Sequence, residues 1–293
     1  IFDCFMYFDE DMLLELRLHT LNKYVKKFII TESTFFHNGK PKKLNFDINK
    51  FSQFKDKIEY IVVDTLSENI QRINPADDQN TKNSKILINA MKRDNHQRNM
   101  LAKGFGNIND DDLIIISDLD EIPNLKDFKY KKKFSFFKQK MFYYKFNLIH
   151  PKMNWIGSKG CKKKHLISPQ WLRNIKEKLY PFWRFDILFS KKKYRNINFI
   201  NNGGWHFTNI KSAEDIHFKF SNFAHHLEYE ESNLGIKDME NMIRERKIHY
   251  DHTLDKKEDK WNASISLKKV DDKILPEYLI KNKLKYKMWF DND

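Results

Sequence analysis

The stretch IIISDLDEIP, residues 114–123, decides the fold. Leu113 to Ser117 is an apolar run too short for a helix and bounded by polar residues, which predicts a buried strand. The strand runs into Asp118 and Asp120, one residue apart, then Glu121 and a terminating Pro123. Two carboxylates held at a strand end suit a hard divalent cation, which takes oxygen ligands and completes its shell with water or substrate phosphate. A solvated acidic loop is the plainer alternative. What separates the two is the combination: strand, Asp-x-Asp, Glu and Pro together.

Upstream, Ile1 to Phe8 predicts a strand, with N-cap candidates at Asp9 to Asp11. Leu13, Leu14, Leu16, Leu18 and Leu21 predict a helix through about residue 24. Phe28 to Ile30 is a second strand, ending at Thr31-Glu32-Ser33, and Ile58 to Val63 is a third. Residues 34–50 carry turn chemistry at His37-Asn38-Gly39-Lys40-Pro41. A helix from about Ser84 to Lys103 carries Asn95-His96-Gln97-Arg98-Asn99. This alternation predicts an α/β fold with a sheet covered on both faces. Such sheets bind ligands at the carboxyl ends of their strands. Three acidic clusters fall there: Asp9/Glu10, Glu32 and Asp118/Asp120.

Downstream, Phe134 to Leu148 predicts one or two antiparallel strands, residues 151–180 a basic loop, and Ile187 to Phe189 and Asn198 to Ile200 further strands. Gly203-Gly204-Trp205-His206-Phe207 reads as a loop whose glycines admit close backbone approach. His206 is either a third metal ligand or a buried, hydrogen-bonded imidazole. From about Ser212 the chain is mostly helical. Ser212 is an N-cap candidate, and the macrodipole alone explains Glu214 and Asp215 in the first turn. Either is also a candidate general base, with Glu228 the rival. Arg98 is a candidate for the phosphates of a nucleotide, as are Lys40, Lys42 and Lys43. The runs Lys131–Lys133 and Lys162–Lys164 read as solvated faces, and residues 251–262 as a mobile stretch.

The chain has 293 residues, with 54 Lys+Arg against 40 Asp+Glu and a net charge of +14. That balance favours phosphorylated ligands and peripheral contact with an acidic membrane surface. An apolar fraction of 40% with 15% aromatic residues excludes a disordered chain. Two cysteines, Cys4 and Cys161, exclude a disulfide scaffold and point to a reducing, cytoplasmic compartment, with a single bridge as the alternative. No run approaches the ~20 apolar residues of a membrane span. With neither repeats nor a linker, the chain is expected to form one domain over residues 1–293.

Taken in order, IFDCFMYFDEDMLLELRL, FIITEST with GKPKKLNF, NHQRN, IIISDLDEIP and GGWHF resemble glycosyltransferase family 17, the β-1,4-mannosyl-glycoprotein 4-β-N-acetylglucosaminyltransferase family. The similarity extends to Lys237–Arg246 and Leu275-Pro276-Glu277-Tyr278-Leu279. The resemblance implies a GT-A, Rossmann-like nucleotide-sugar-binding fold with a mostly helical C-terminal part. Residues 1–125 would be its nucleotide-sugar-binding half, and residues 126–293 the acceptor-side half with C-terminal helices. It implies a UDP-sugar donor, a glycan or glycoconjugate acceptor, a divalent cation (manganese, or magnesium) and inversion at the anomeric carbon, with N-acetylglucosamine the sugar. Carried over, Asp118 and Asp120 match the metal and nucleotide-sugar carboxylates. Glu10 and Glu32 match nucleotide contacts, His206 the histidine of a Gly-Trp-His segment, and Glu214/Asp215 a helix-start base. The rival classes are a metal-dependent nuclease or phosphoesterase and a non-catalytic basic glycan-binding module. Specific nucleic-acid binding is not expected.

Overall fold

The computed structural model describes residues 1–223, 226–250 and 264–292. The stretch read as mobile, 251–262, lies outside them. Four short apolar runs form parallel strands: β1 (Phe2–Met6), β2 (Lys27–Ser33), β3 (Ile58–Val63) and β4 (Leu113–Asp118). They lie in the order β3-β2-β1-β4. Helix α1 (Asp11–Leu21) links β1 to β2, and α2 (Gln79–Asn99) lies between β3 and β4. Beyond β4 come β5 (Glu121–Pro123), β6 (Phe134–Tyr143), β7 (Leu148–Trp155), β8 (Lys159–Lys162), α3 (Pro169–Asn174), β9 (Ile197–Thr208) and α4 (Ala213–Asn222). Among the described residues, the C-terminal part adds three short helices and three two-residue strands. Strand β8 continues the sheet antiparallel to β4, and β6 pairs antiparallel with β8 and β7. Strand β9 runs parallel to β6 and antiparallel to β5. The result is one mixed sheet spanning both halves of the chain.

Alternate residues of the parallel strands enter two cores. Phe5, Phe28, Ile30 and Ile115 pack with the leucines of α1, whereas Cys4, Ile29, Ile114 and Ile116 pack with Leu172 of α3 on the opposite face. That double burial is why these strands read as unbroken apolar runs. Cys4 and Cys161 are both free and buried.

Several expectations are corrected. The segment read as a basic loop over 151–180 contains the end of β7, all of β8 and α3. Strand β7 carries Lys152 and Asn154 near its end, and β8 has four residues with a lysine at each end, so neither stands out as an apolar run; Ser168, whose hydroxyl accepts from Trp171 N, starts α3. Ile187 belongs to a 3-10 turn (Phe185–Ile187), not a strand. Gly203 to Phe207 is strand rather than loop. Gly204 has φ +133°, and a Cβ there would meet Ile122 O at 2.1 Å, so the glycine lets β9 close on β5. Helix α2 begins five residues early because Asp78 caps Thr81 N, and it tightens into 3-10 turns after Asn99. Lys162 and Lys164 both pair with Asp111.

One side chain sets the turn after β4. Arg17, on the buried helix α1, is fully enclosed with Asp3. Its Nε and Nη2 donate to the two Asp3 oxygens at 2.7 and 2.6 Å, and Nη2 also donates to Ser117 Oγ. Its Nη1 donates to the carbonyls of Asp118, Leu119 and Glu121 at 3.0, 3.0 and 2.9 Å. Arg17→Met leaves Asp3 charged and unpaired and is expected to cost about 3–5 kcal/mol. Adding Asp3→Val should recover part of that loss, a coupling that a double-mutant cycle in urea measures. Additive losses would show that the pair itself contributes nothing.

Candidate active site

Because β1, β2 and β4 are in register, with Met6 opposite both Thr31 and Asp118, their acidic ends share one edge of the sheet. A cavity of about 490 Å³ opens there, lined among others by Glu10, Lys42, Asp94, Arg98, Asp118, Asp120, Glu121, Trp155, His206 and Lys219.

Asp118 lies between two arginines. Arg98 Nη2 donates to Oδ1 at 3.0 Å, and Arg173 Nη2 to Oδ2 at 2.9 Å. Burial alone would push its carboxyl up, but Arg173 and Arg98 outweigh it and hold the group well below the usual range. Arg98 also makes a two-pronged pair with Asp94 and bonds to Gln170 of α3. Arg173 makes a second bidentate pair with Glu121, at 2.6 and 3.1 Å. Glu121 accepts further from Trp155 Nε1 at 2.6 Å and Asp118 N at 2.7 Å, and it is almost fully buried. Gly157 makes room for it: a Cβ at that position would sit 2.0 Å from the Glu121 carboxyl carbon.

Asp120 faces another set of partners. His206 stands opposite Glu121 on β9, and its Nε2 lies 3.6 Å from Asp120 Oδ2, beyond a hydrogen bond. Lys219 Nζ of α4 lies 4.0 Å from Asp120 and 3.6 Å from Glu10. Burial would lower the His206 pKa, but Asp120 outweighs it and the net direction is upward. Its Nδ1 is buried without a hydrogen-bond partner among the described residues.

Among the described residues no group of three or more His, Cys, Asp and Glu side chains converges as a metal site. The residues present do fit one ion held by two protein ligands. Donors each about 2.1 Å from one ion lie ~3–3.6 Å apart, the scale of the Asp120–His206 gap. The carboxylate suits manganese or magnesium, and the imidazole favours the softer manganese, with substrate phosphate and water completing the shell. As a ligand the His206 imidazole would be neutral, so metal binding works against the upward shift that Asp120 gives it.

The remaining expected residues separate. Glu10, Arg98, Asp118, Asp120 and His206 meet at the cavity. Glu32 does not line it. Fully buried, Glu32 accepts from Asn45 N at 2.7 Å, Phe46 N at 3.0 Å, Tyr60 Oη at 2.8 Å and the Lys42 ammonium. It therefore pins the loop that carries Lys42 to the cavity. Lys40 and Lys43 are exposed outside the lining. Glu214 and Asp215 are also exposed and outside it, behind the Ser212 cap of α4. Glu228, at the start of α5 (His226–Glu231), is not in the lining either. The reading of the sequence missed Arg173, Trp155, Asp94, Lys219 and the Asp3–Arg17 pair. Only that pair had a local signal, opposite charges inside apolar runs.

An α/β sheet with an acidic cavity at its strand ends has the ligand-binding arrangement of the open α/β enzymes. The sequence model of glycosyltransferase family 17 matches residues 1–165, more than half of the chain, and the chain belongs to that family. It is a glycosyltransferase, working between a sugar donor and a glycan acceptor. A search of curated proteins finds no match.

The Asp118 environment sets a pH dependence. A carboxyl whose pKa is lowered by folding contributes stability above its unfolded value near 3.9, and loses it as pH falls toward the folded value. Asp118→Asn should therefore be less stable than wild type at neutral pH, with the gap closing below about pH 4. Urea melts at the two pH values measure this. A gap independent of pH would refute the assignment.

Proposed function

We propose that this glycosyltransferase is a metal-dependent, inverting enzyme of GT-A type that moves N-acetylglucosamine from UDP to a glycan or glycoconjugate acceptor. The observation that carries the proposal is the Asp-x-Asp strand end, with Asp118 clamped directly by Arg98 and Arg173, at the wall of a cavity of ligand size. The β3-β2-β1-β4 parallel order supports a Rossmann-like nucleotide half over residues 1–125, with residues 126–293 forming the acceptor side.

In this reading Asp120 and His206 hold the divalent cation, manganese or magnesium, and Asp118 stands beside them. When bound, the ion supplies Lewis-acid charge to the diphosphate. Arg98, ordered by Asp94 and Asp118, lines the cavity and presents positive charge to the departing UDP with little reorganisation, while Arg173 holds Asp118 and Glu121 in place behind it. Glu10 and Lys42 line the nucleotide end of the cavity. Asp215 serves as the base that takes the acceptor hydroxyl's proton. At 100° per residue it stands on the side of α4 shared by Lys219 and Asn222, which line the cavity, whereas Glu214 is turned away. Attack on the face opposite UDP inverts the anomeric carbon.

Asp120→Asn should lower transfer by about 10²-fold or more while leaving the melting temperature near wild type. Chelation should abolish transfer, and manganese should restore it. Unchanged turnover in the variant at saturating manganese would remove Asp120 from the site.

UDP with manganese should raise the melting temperature, by about 2.7 kcal/mol of linkage at a hundredfold excess over Kd. Asp215→Asn should lose ~10²-fold in transfer and keep that thermal shift, while Glu214→Gln stays near wild type. Loss in Glu228→Gln instead would move the base. Salt-sensitive nucleic-acid cleavage without any UDP effect would favour the nuclease class.

A further inference from the structure

The segment that leaves α3 and returns to β9 carries the most concentrated exposed apolar surface among the described residues. Between residues 179 and 189, six side chains face solvent: Leu179, Phe182, Trp183, Phe185, Leu188 and Phe189, the last 91% exposed. Scattered exposed apolar residues are ordinary, but a run of this kind marks an interaction site. Its shape is braced by polar contacts. Lys176 N donates to Lys192 O at 2.8 Å and closes the neck, and Trp171 Nε1 donates to Lys191 O at 2.7 Å. Arg195 Nη2 donates to the carbonyls of Phe182 and Arg184 at 2.5 and 2.8 Å. Ile187 alone turns inward and is buried. The aromatic side chains are thus held outward by a formed loop.

Charge names the partner. Residues 176–195 hold seven Lys and Arg against two acidic residues. Both acids are already paired, Glu177 with Lys159 at 2.9 Å and Asp186 with Arg184 and Lys193 at 2.6 and 2.8 Å. An apolar tip of Phe, Leu and Trp inside a basic collar matches a bilayer interface: rings at the headgroup–acyl boundary, ammonium and guanidinium groups on anionic lipid phosphates. A sugar platform would place free hydrogen-bonding side chains beside its rings, whereas here Arg184 and Asp186, which flank Phe185, are paired with each other.

We propose that the loop over residues 176–195 docks the protein on the surface of an anionic lipid bilayer. Phe182, Trp183, Phe185 and Phe189 enter the interface, and Lys191 and Lys192 contact the headgroups. The loop springs from α3, whose Arg173 pairs with Asp118 and Glu121 at the wall of the cavity. Docking therefore sets the active site next to the membrane surface. The assignment does not depend on the transfer reaction, because docking is read without donor or acceptor.

The test is co-sedimentation of the full 293-residue chain with unilamellar vesicles of phosphatidylcholine containing about 30% phosphatidylglycerol, against phosphatidylcholine alone. The chain should bind the anionic vesicles, and more weakly as salt rises. Phe182→Ser/Phe185→Ser/Phe189→Ser should cut the partition by about 10-fold or more with an unchanged melting curve. Lys191→Glu/Lys192→Glu provides a second variant that removes no apolar group and should also weaken binding. Quenching of tryptophan by brominated lipid should fall in Trp183→Phe. The proposal is overturned if wild type ignores anionic vesicles or if both variants bind as wild type does. It is equally overturned if the serine variant only converts a dimer to a monomer in vesicle-free solution, which would make the patch a contact between copies.

Discussion

The guanidinium of Arg17 is the fixed point on which the rest of the site depends. The turn after β4 directs the carbonyls of Asp118, Leu119 and Glu121 toward the interior, where each needs a donor from the protein. A single rigid fork reaches all three, and its other donors are taken by Asp3 and Ser117. Lysine has neither the reach nor the geometry to replace it. With the backbone oxygens tied from below, the side chains of Asp118 and Asp120 are left to face the cavity above. The carboxylates are therefore positioned by a residue about a hundred positions away in sequence, buried in a helix that touches no ligand.

A turn that gathers Asp118, Asp120 and Glu121 creates its own repulsion, and the countercharges come from four different elements. Arg98 of α2, Arg173 beside it from α3, His206 of β9 and Lys219 of α4 each face one or two of the acids. Because these partners are held by the acids themselves, an anionic group entering the cavity would meet oriented cations rather than mobile surface lysines. Glu32 illustrates the opposite use of an acid. Its oxygens are spent on two backbone N–H groups, a phenol and Lys42, and its influence on the cavity passes through the loop it secures.

The first half of the fold was legible because β1, β2 and β4 are buried on both faces and stand out as apolar runs, and the half-buried β3 is rich in β-branched residues. Strand β3 has the expected bounds, and β1, β2 and β4 differ only at their ends. The second half was less so. Strands β7 and β8 carry lysines and an asparagine where they border solvent, and β9 carries two glycines, so their period is masked. The Asp-x-Asp and His206 were visible as local patterns. Arg173 and Lys219 were not, since nothing in a Lys- and Arg-rich chain distinguishes a cation folded onto a distant carboxylate from one left in water. The base has the same difficulty in reverse: the helix-start chemistry of Glu214 and Asp215 is explained by the Ser212 cap whether or not either acts on substrate.

The family match ends at residue 165, between the acids and most of their counterions. Within the matched part lie Asp118, Asp120, Glu121, Arg98, Trp155 and Gly157, and beyond it lie Arg173, His206 and Lys219. The two parts nonetheless share one sheet: β8 joins β4, and β9 lies against both β5 and β6. That pairing is what puts His206 opposite Glu121 and lets α4 follow directly over the cavity. An isolated first part would hold Glu121 without Arg173, a buried charge with its strongest partner removed. The acidic half is thus completed electrostatically as well as sterically by the second, and the cavity exists only where the two meet.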